Sequence, residues 1–167
     1  MTPEEKYRQL YEEMFNLCKE NGWGDPFSYS RGKEIYMATI LNHKVATTYS
    51  GADAFDSDGA CEYKSTITGN LCGTYNGISV QPTLEEQVSY IKNEKIGPYR
   101  NHYFARFENG TVAEIYMMTN DQVLNLLLPK IENQYIKRQT KKTKDPRLGV
   151  TLTTAEIKKQ GKKIYGN

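Results

Sequence analysis

Apolar positions near the start of the chain recur with the period of a helix face. Tyr7, Leu10, Tyr11, Met14, Leu17 and Cys18 fall at about 3.6-residue spacing. Thr2 stands as N-cap, Pro3 as first helical residue and Glu5 as the far member of a capping box. Asn21-Gly22 ends the pattern. After the turn-rich "GWGDPFSYSRG", the stretch "KEIYMATILN" (33–42) predicts a second, largely buried helix.

The pattern then shortens to the period of strands. "VATTY" (45–49) has strand composition. "ACEYKSTI" (60–67) puts Cys61, Tyr63, Ser65 and Ile67 on one face and Glu62, Lys64 and Thr66 on the other. The turn signal "DSDG" between them predicts a hairpin-like pair. "GNLCGTYNG" (69–77) reads as a glycine-rich loop. A T-x-x-E box at Thr83 and Glu86 opens another helix, and "NHYFARF" and "TVAEIYMM" form two strands around Glu108-Asn109-Gly110. A last helix starts from Thr119 with T-x-x-Q and should bend at Pro129. Without a repeat or linker, the order predicts a mixed α/β, or α+β, fold in a single domain spanning 1–167.

Charge adds an asymmetry to this picture. The 167 residues carry a net +2, but the ten Lys/Arg from Lys137 onward, against Asp145 and Glu156, make that end +8 and leave −6 for the rest. A basic segment over 137–167 on an acidic body suits a protein that grips phosphates, since each neutralised phosphate releases counterions. A solvated tail is the competing reading. Apolar residues at 38% and 13 tyrosines argue against disorder. The longest apolar run, "VLNLLL", is too short to span a membrane, and no signal peptide is recognisable. A cytoplasmic protein without a membrane partner is expected. Cys18, Cys61 and Cys72 are odd in number and lack metal-ligand spacing, so free thiols are expected.

The densest chemistry lies in "DAFDSDGACEYKS" (53–65), where Asp53, Asp56, Asp58 and Glu62 precede Lys64. Glu62 and Lys64, two apart on a strand, point to one side. Aspartate and glutamate are hard oxygen ligands suited to Mg²⁺, and a lysine beside them orients or deprotonates an attacking water. The spacing D-x8-E-x-K falls within the D-(x)n-(D/E)-x-K signature of phosphodiester-cleaving nucleases. Taken alone, the same residues also fit an acidic surface turn.

More of the chain joins the motif. "NGWGDPF", "GKEIYMATIL", "GADAFDSDGACEYKS", "TVAEIYMM" and the terminal "GKKIY" resemble, in order, the type II restriction endonucleases of the PvuII type within the PD-(D/E)xK nuclease superfamily. The first helix and the region 69–97 lie outside the resemblance. It implies a restriction-endonuclease-like core, a central mixed sheet flanked by helices. It implies Mg²⁺-dependent cleavage of double-stranded DNA at a short palindromic site, with Asp53, Glu62 and Lys64 catalytic. Asp53, Glu62 and the Tyr63 carbonyl would hold the metal. One residue fewer separates Asp53 from Glu62 than in the family, which leaves Asp56 or Asp58 as an alternative ligand. The 2–21 helix corresponds to the family's dimer-forming region and implies a homodimer.

The DNA-reading elements depart from that family. Its acidic residue before the second helix falls near Tyr29 and Ser30, with Arg31 alongside, and its histidine cluster is replaced by "GTYNGIS", which contains Tyr75 and Asn76. Lys144-Asp145 now precede Pro146, with Arg147 following. Arg31, Tyr75, Asn76, Lys141, Lys142, Lys144, Asp145 and Arg147 are therefore the expected DNA-contacting residues. Lys144 and Arg147 suit guanine O6/N7 and Asp145 suits cytosine N4, although phosphate contact alone fits the same residues. His43 and His102, the only histidines, receive no role. Two further readings remain: a repair or homing nuclease of the same fold, and a non-catalytic DNA-binding module.

Overall fold

The computed structural model describes every residue from Met1 to Asn167 except Tyr49. The chain packs as two compact units, Met1–Ser57 and Asp58–Asn167, and the boundary falls inside the acidic stretch.

The first unit opens with α1 (Pro3–Glu20). Thr2 Oγ1 accepts from the Glu5 N–H at 3.2 Å while the Thr2 N–H donates to Glu5 Oε2 at 2.7 Å, the reciprocal box expected from the sequence. Helix α2 (Arg31–Leu41) ends at Asn42 in the left-handed conformation, φ 55°. It is less buried than its composition predicts. Met37 and Ala38 are enclosed, but Ile35, Ile40 and Leu41 are only partly covered. Part of the reason is a groove of about 210 Å³ lined by Ile35 and Tyr36 together with Met14 and Leu17 of α1.

The strand expected over 45–49 contracts to β1 (Lys44–Val45), and its partner is β2 (Ala54–Phe55), antiparallel, in place of the hairpin with 60–67. The Ala46 N–H donates to the Asp53 carbonyl at 3.1 Å, next to that pairing. Tyr49 itself lies outside the described residues.

In the second unit, β3 (Ala60–Thr66) runs parallel to β5 (Asn101–Glu108), in register Glu62 with His102 and Lys64 with Phe104. Strand β6 (Thr111–Thr119) returns antiparallel to β5 through Asn109-Gly110, whose φ values of 51° and 80° are those of a tight hairpin turn. Strand β8 (Lys162–Tyr165) adds antiparallel to β6, giving a mixed sheet in the order β3-β5-β6-β8. Strand β4 (Gly73–Ser79) pairs antiparallel with β7 (Arg147–Leu152) in a separate ribbon.

Helix α3 (Leu84–Tyr90) passes into a π-helical turn at Ile91–Lys95. Helix α4 (Asn120–Gln139) runs on through Pro129 and packs against β5, β6 and β7, and α5 (Thr154–Gln160) packs against β6. Capping boxes also open α3 and α4 as expected, and a fourth, at Thr153 and Glu156, opens α5. The architecture is mixed α+β, a central mixed sheet flanked by helices. A continuous core joins Leu71, Ile78, Ile91, Phe104, Met118, Val123, Leu127, Ile131, Leu152 and Ile157.

Two expectations are corrected here. The glycine-rich "loop" is largely strand β4, because its backbone groups pair with β7 across more than seventy residues of sequence. The basic end is folded as β7, α5 and β8, because Leu148, Val150 and Leu152 alternate toward the core beneath the charged surface. A buried carboxylate, Glu114 on β6, is held by Arg106 Nε at 2.9 Å and Lys158 Nζ at 3.6 Å. Burial pushes its carboxyl up, and the hydrogen bond from Arg106 with the charge of Lys158 outweighs this, leaving it below the usual range.

Candidate active site

Strand β3 sorts its side chains as the alternation predicts. Cys61 and Tyr63 are buried on one face, and Glu62 and Lys64 share the other. The Lys64 ammonium lies 2.5 Å from Glu62 Oε1, with only 22% and 16% of the two side chains exposed. Partial desolvation of this kind strengthens an ion pair relative to a surface one.

Strand β4 passes against Lys64 at very close range. A Cβ built on Gly73 would sit 2.3 Å from Phe104 Cε1 and 3.5 Å from Lys64 Cγ, so only glycine allows the approach. Two residues on, the Tyr75 ring lies beneath Lys64 Nζ, 4.9 Å from ring centroid to nitrogen. Tyr75 Oη is 2.9 Å from His102 Nδ1, both groups buried, and Tyr99 meets the imidazole edge-on at 5.7 Å. Burial first, and then the Lys64 charge, hold the His102 pKa down at about 3. Burial, with the Glu62 charge and Tyr99, raises the Tyr75 hydroxyl well above its ordinary value. Both groups are uncharged at neutral pH. His102 Nε2 is buried without a hydrogen-bond partner among the described residues.

Asp53 belongs to the first unit. It lines a cavity of about 510 Å³ with Ser28, Tyr29, Ser30, Arg31 and Glu34. Tyr29 is fully exposed there, with a left-handed φ of 53° that costs a non-glycine residue energy. Asp58, one of the alternative ligands, accepts from Asn101 Nδ2 at 2.9 Å through Oδ2. The other, Asp56, lies close enough to His43 for its charge to raise that imidazole's pKa, while burial, the larger effect, lowers it.

Two of the side chains expected to contact DNA are buried. Arg31 is buried and spends its guanidinium inside the first unit: Nε donates to Trp23 O at 2.6 Å, Nη2 donates to Ala46 O, and Nη1 pairs with Glu34 at 3.3 Å. A guanidinium with no other way to satisfy its donors away from water takes such carbonyls. Tyr75 is in strand β4, not in a loop, and its hydroxyl is committed to His102. Asn76 is exposed beside it. Lys141, Lys142, Lys144 and Asp145 occupy the exposed segment between α4 and β7, with Arg147 exposed at the first position of β7. There Asp145 Oδ1 accepts from the Arg147 N–H at 2.8 Å and the Asp145 carbonyl accepts from Arg138 Nε at 2.6 Å. Arg138, Lys141, Asp145 and Arg147 help line a concavity of about 250 Å³.

Among the described residues, no group of three or more His, Cys, Asp or Glu side chains is arranged to hold a metal ion. The donor set implied by the resemblance is leaner, two carboxylates and the Tyr63 carbonyl. These are all hard oxygens, which fit a cation that keeps several of its own waters. Among the described residues none of the three cysteines forms a disulfide, and Cys18 and Cys61 are buried. No described helix is long and apolar enough to cross a membrane.

No model of a known protein family matches this chain, and no curated protein matches it. Sequence reasoning missed His102, Gly73 and the buried role of Tyr75. The one local sign was a histidine set at the head of the aromatic-rich strand "HYFARF".

Proposed function

We propose that the chain is a Mg²⁺-dependent endonuclease of the PD-(D/E)xK class, with a restriction-endonuclease-like core, cutting double-stranded DNA at a short palindromic site. The observation that carries the reading is the partly desolvated Glu62–Lys64 pair, set on one face of β3 two residues apart. A Mg²⁺ bound beside Glu62 and the Tyr63 carbonyl would neutralise charge on the scissile phosphate; Asp53 is the further ligand that the sequence resemblance implies. Lys64 donates hydrogen bonds to the attacking water and the phosphate and orients the water in line with the leaving 3′ oxygen. Glu62 fixes the ammonium in that position. The water oxygen bonds to phosphorus and gives up a proton to solvent as the P–O3′ bond breaks, and the 3′ oxygen takes a proton from solvent, giving 5′-phosphate and 3′-hydroxyl ends.

The exposed Lys141, Lys142, Lys144 and Arg147 contact DNA, chiefly phosphates. Asp145 presents its carboxylate to the adjacent main chain, a fixed orientation that suits reading a base edge. A homodimer places two such sites on the two strands of a palindrome. The exposed Tyr7, Leu10, Tyr11 and Met14 row on α1 suits its interface, and a cytoplasmic location suits a DNA substrate.

The test is incubation of the protein with plasmid and phage DNA, in Mg²⁺ and in EDTA, beside Lys64→Ala, with sequencing of fragment ends. Discrete Mg²⁺-dependent fragments sharing one end sequence are expected, with the variant at least about 100-fold slower. Intact DNA under every condition sinks the reading. Retarded but uncut DNA would identify a binding module, and cleavage confined to junctions or nicks a repair-type nuclease.

A further inference from the structure

Beneath the Glu62–Lys64 pair lies a second, wholly buried pair, Tyr75 and His102, to which the proposed chemistry gives no part. The geometry points to Tyr75 and His102 as positioning residues: the Tyr75 ring, anchored through its hydroxyl to His102 Nδ1, is the rigid seat that holds the Lys64 ammonium beside Glu62. What the seat serves rests on the nuclease reading; its existence does not.

Three independent features converge on this arrangement. Lysine is a flexible four-carbon arm with three rotatable donors, and one carboxylate leaves its head free to swing. A π face 4.9 Å below Nζ closes off one side of that swing. The ring is itself fixed at both ends. Gly73, which has no room for a side chain, brings β4 down onto Phe104 and the Lys64 stem, and the 2.9 Å contact to His102 ties the far end of the ring to β5. His102 in turn is the in-register neighbour of Glu62, so one buried group sets the position of the ring under the lysine and stands beside the carboxylate. The seat is also electrically neutral. A charged imidazole there would repel the ammonium, whereas burial keeps His102 unprotonated.

Tyr75→Phe keeps the ring and removes only its tether, and His102→Leu removes the tether from the other end. Each is expected to lower kcat about tenfold with the KM for DNA unchanged. Because both remove the same contact, the double variant should be no slower than either single one. Wild-type kcat in Tyr75→Phe, or losses that simply multiply in the double variant, would overturn the inference. If His102→Leu does not fold, Tyr75→Phe carries the test alone. NMR of the Lys64 ε-methylene protons, assigned against Lys64→Ala, reads the geometry without any cleavage. An upfield ring-current shift that is lost in Tyr75→Leu supports the seat, and unshifted wild-type protons refute it. An inactive wild-type enzyme therefore defeats the nuclease reading while the shift still decides this one.

Discussion

The helix that opens the first unit buries a single side chain, Cys18, whereas α4 of the second unit buries Val123, Leu127, Ile131 and Tyr135. The contrast extends to the whole of each unit. In the first, the strands are two residues long, Tyr7, Leu10 and Met14 are exposed, and a buried arginine ties loop, helix and strand together through main-chain carbonyls. In the second, one continuous apolar cluster runs from Leu71 to Ile157 beneath a four-stranded sheet and a ribbon. A closely packed core holds the side chains on it in fixed positions. Glu62, Lys64, Tyr75 and His102 all stand on the unit with the continuous core, while Asp53 stands on the lighter one.

Truncation in the second core should produce the largest effect. Leu127→Ala is expected to cost about 2–5 kcal/mol in urea unfolding, since the site is fully enclosed. Acid should follow. The folded pKa of His102 is about 3 and its ordinary value 6.5, so its contribution is complete above pH 6.5 and declines as pH falls toward 3. The loss is about 1.4 kcal/mol per pH unit, or about 3 kcal/mol by pH 4.5. His102→Leu should show a correspondingly shallower fall between pH 7 and 4.5, and equal slopes would mean that the imidazole is not held neutral.

Gly73→Ala should cost about 1–3 kcal/mol, because the new methyl meets the Phe104 ring at β4's closest approach to the sheet. A neutral outcome would show that β4 can lift away from Lys64. The smallest effect belongs to the first unit: Leu10→Ala, at a half-exposed position, should change stability by about 0.5 kcal/mol or less in dilute protein. A cost comparable to Leu127→Ala, growing with protein concentration, would mean that the apolar row is covered by a second copy and would erase the contrast between the units.

Much of this was legible residue by residue. The capping boxes at Thr2, Thr83 and Thr119, the Asn109-Gly110 turn and the shared face of Glu62 and Lys64 depend on neighbours within four positions, and each appears where its spacing predicts. Reading by composition failed where charge or glycine hid a pattern. "RLGVTL" alternates as cleanly as any strand in the chain, but its basic surroundings made it look like a tail. "GTYNGIS" looked like a loop for its glycines, one of which is there because a Phe104 ring occupies the space of a side chain.

The local sequence alone determined the helix starts, the hairpin and the acid–base pair, because backbone capping and strand alternation act over a few residues. Only the tertiary structure decided the parallel pairing of β3 with β5, the passage of β4 over Lys64, and the burial of Arg31 and His102. Those features join segments separated by up to tens of residues, where the gain from burying apolar surface and satisfying buried polar groups, not any local period, selects the partner.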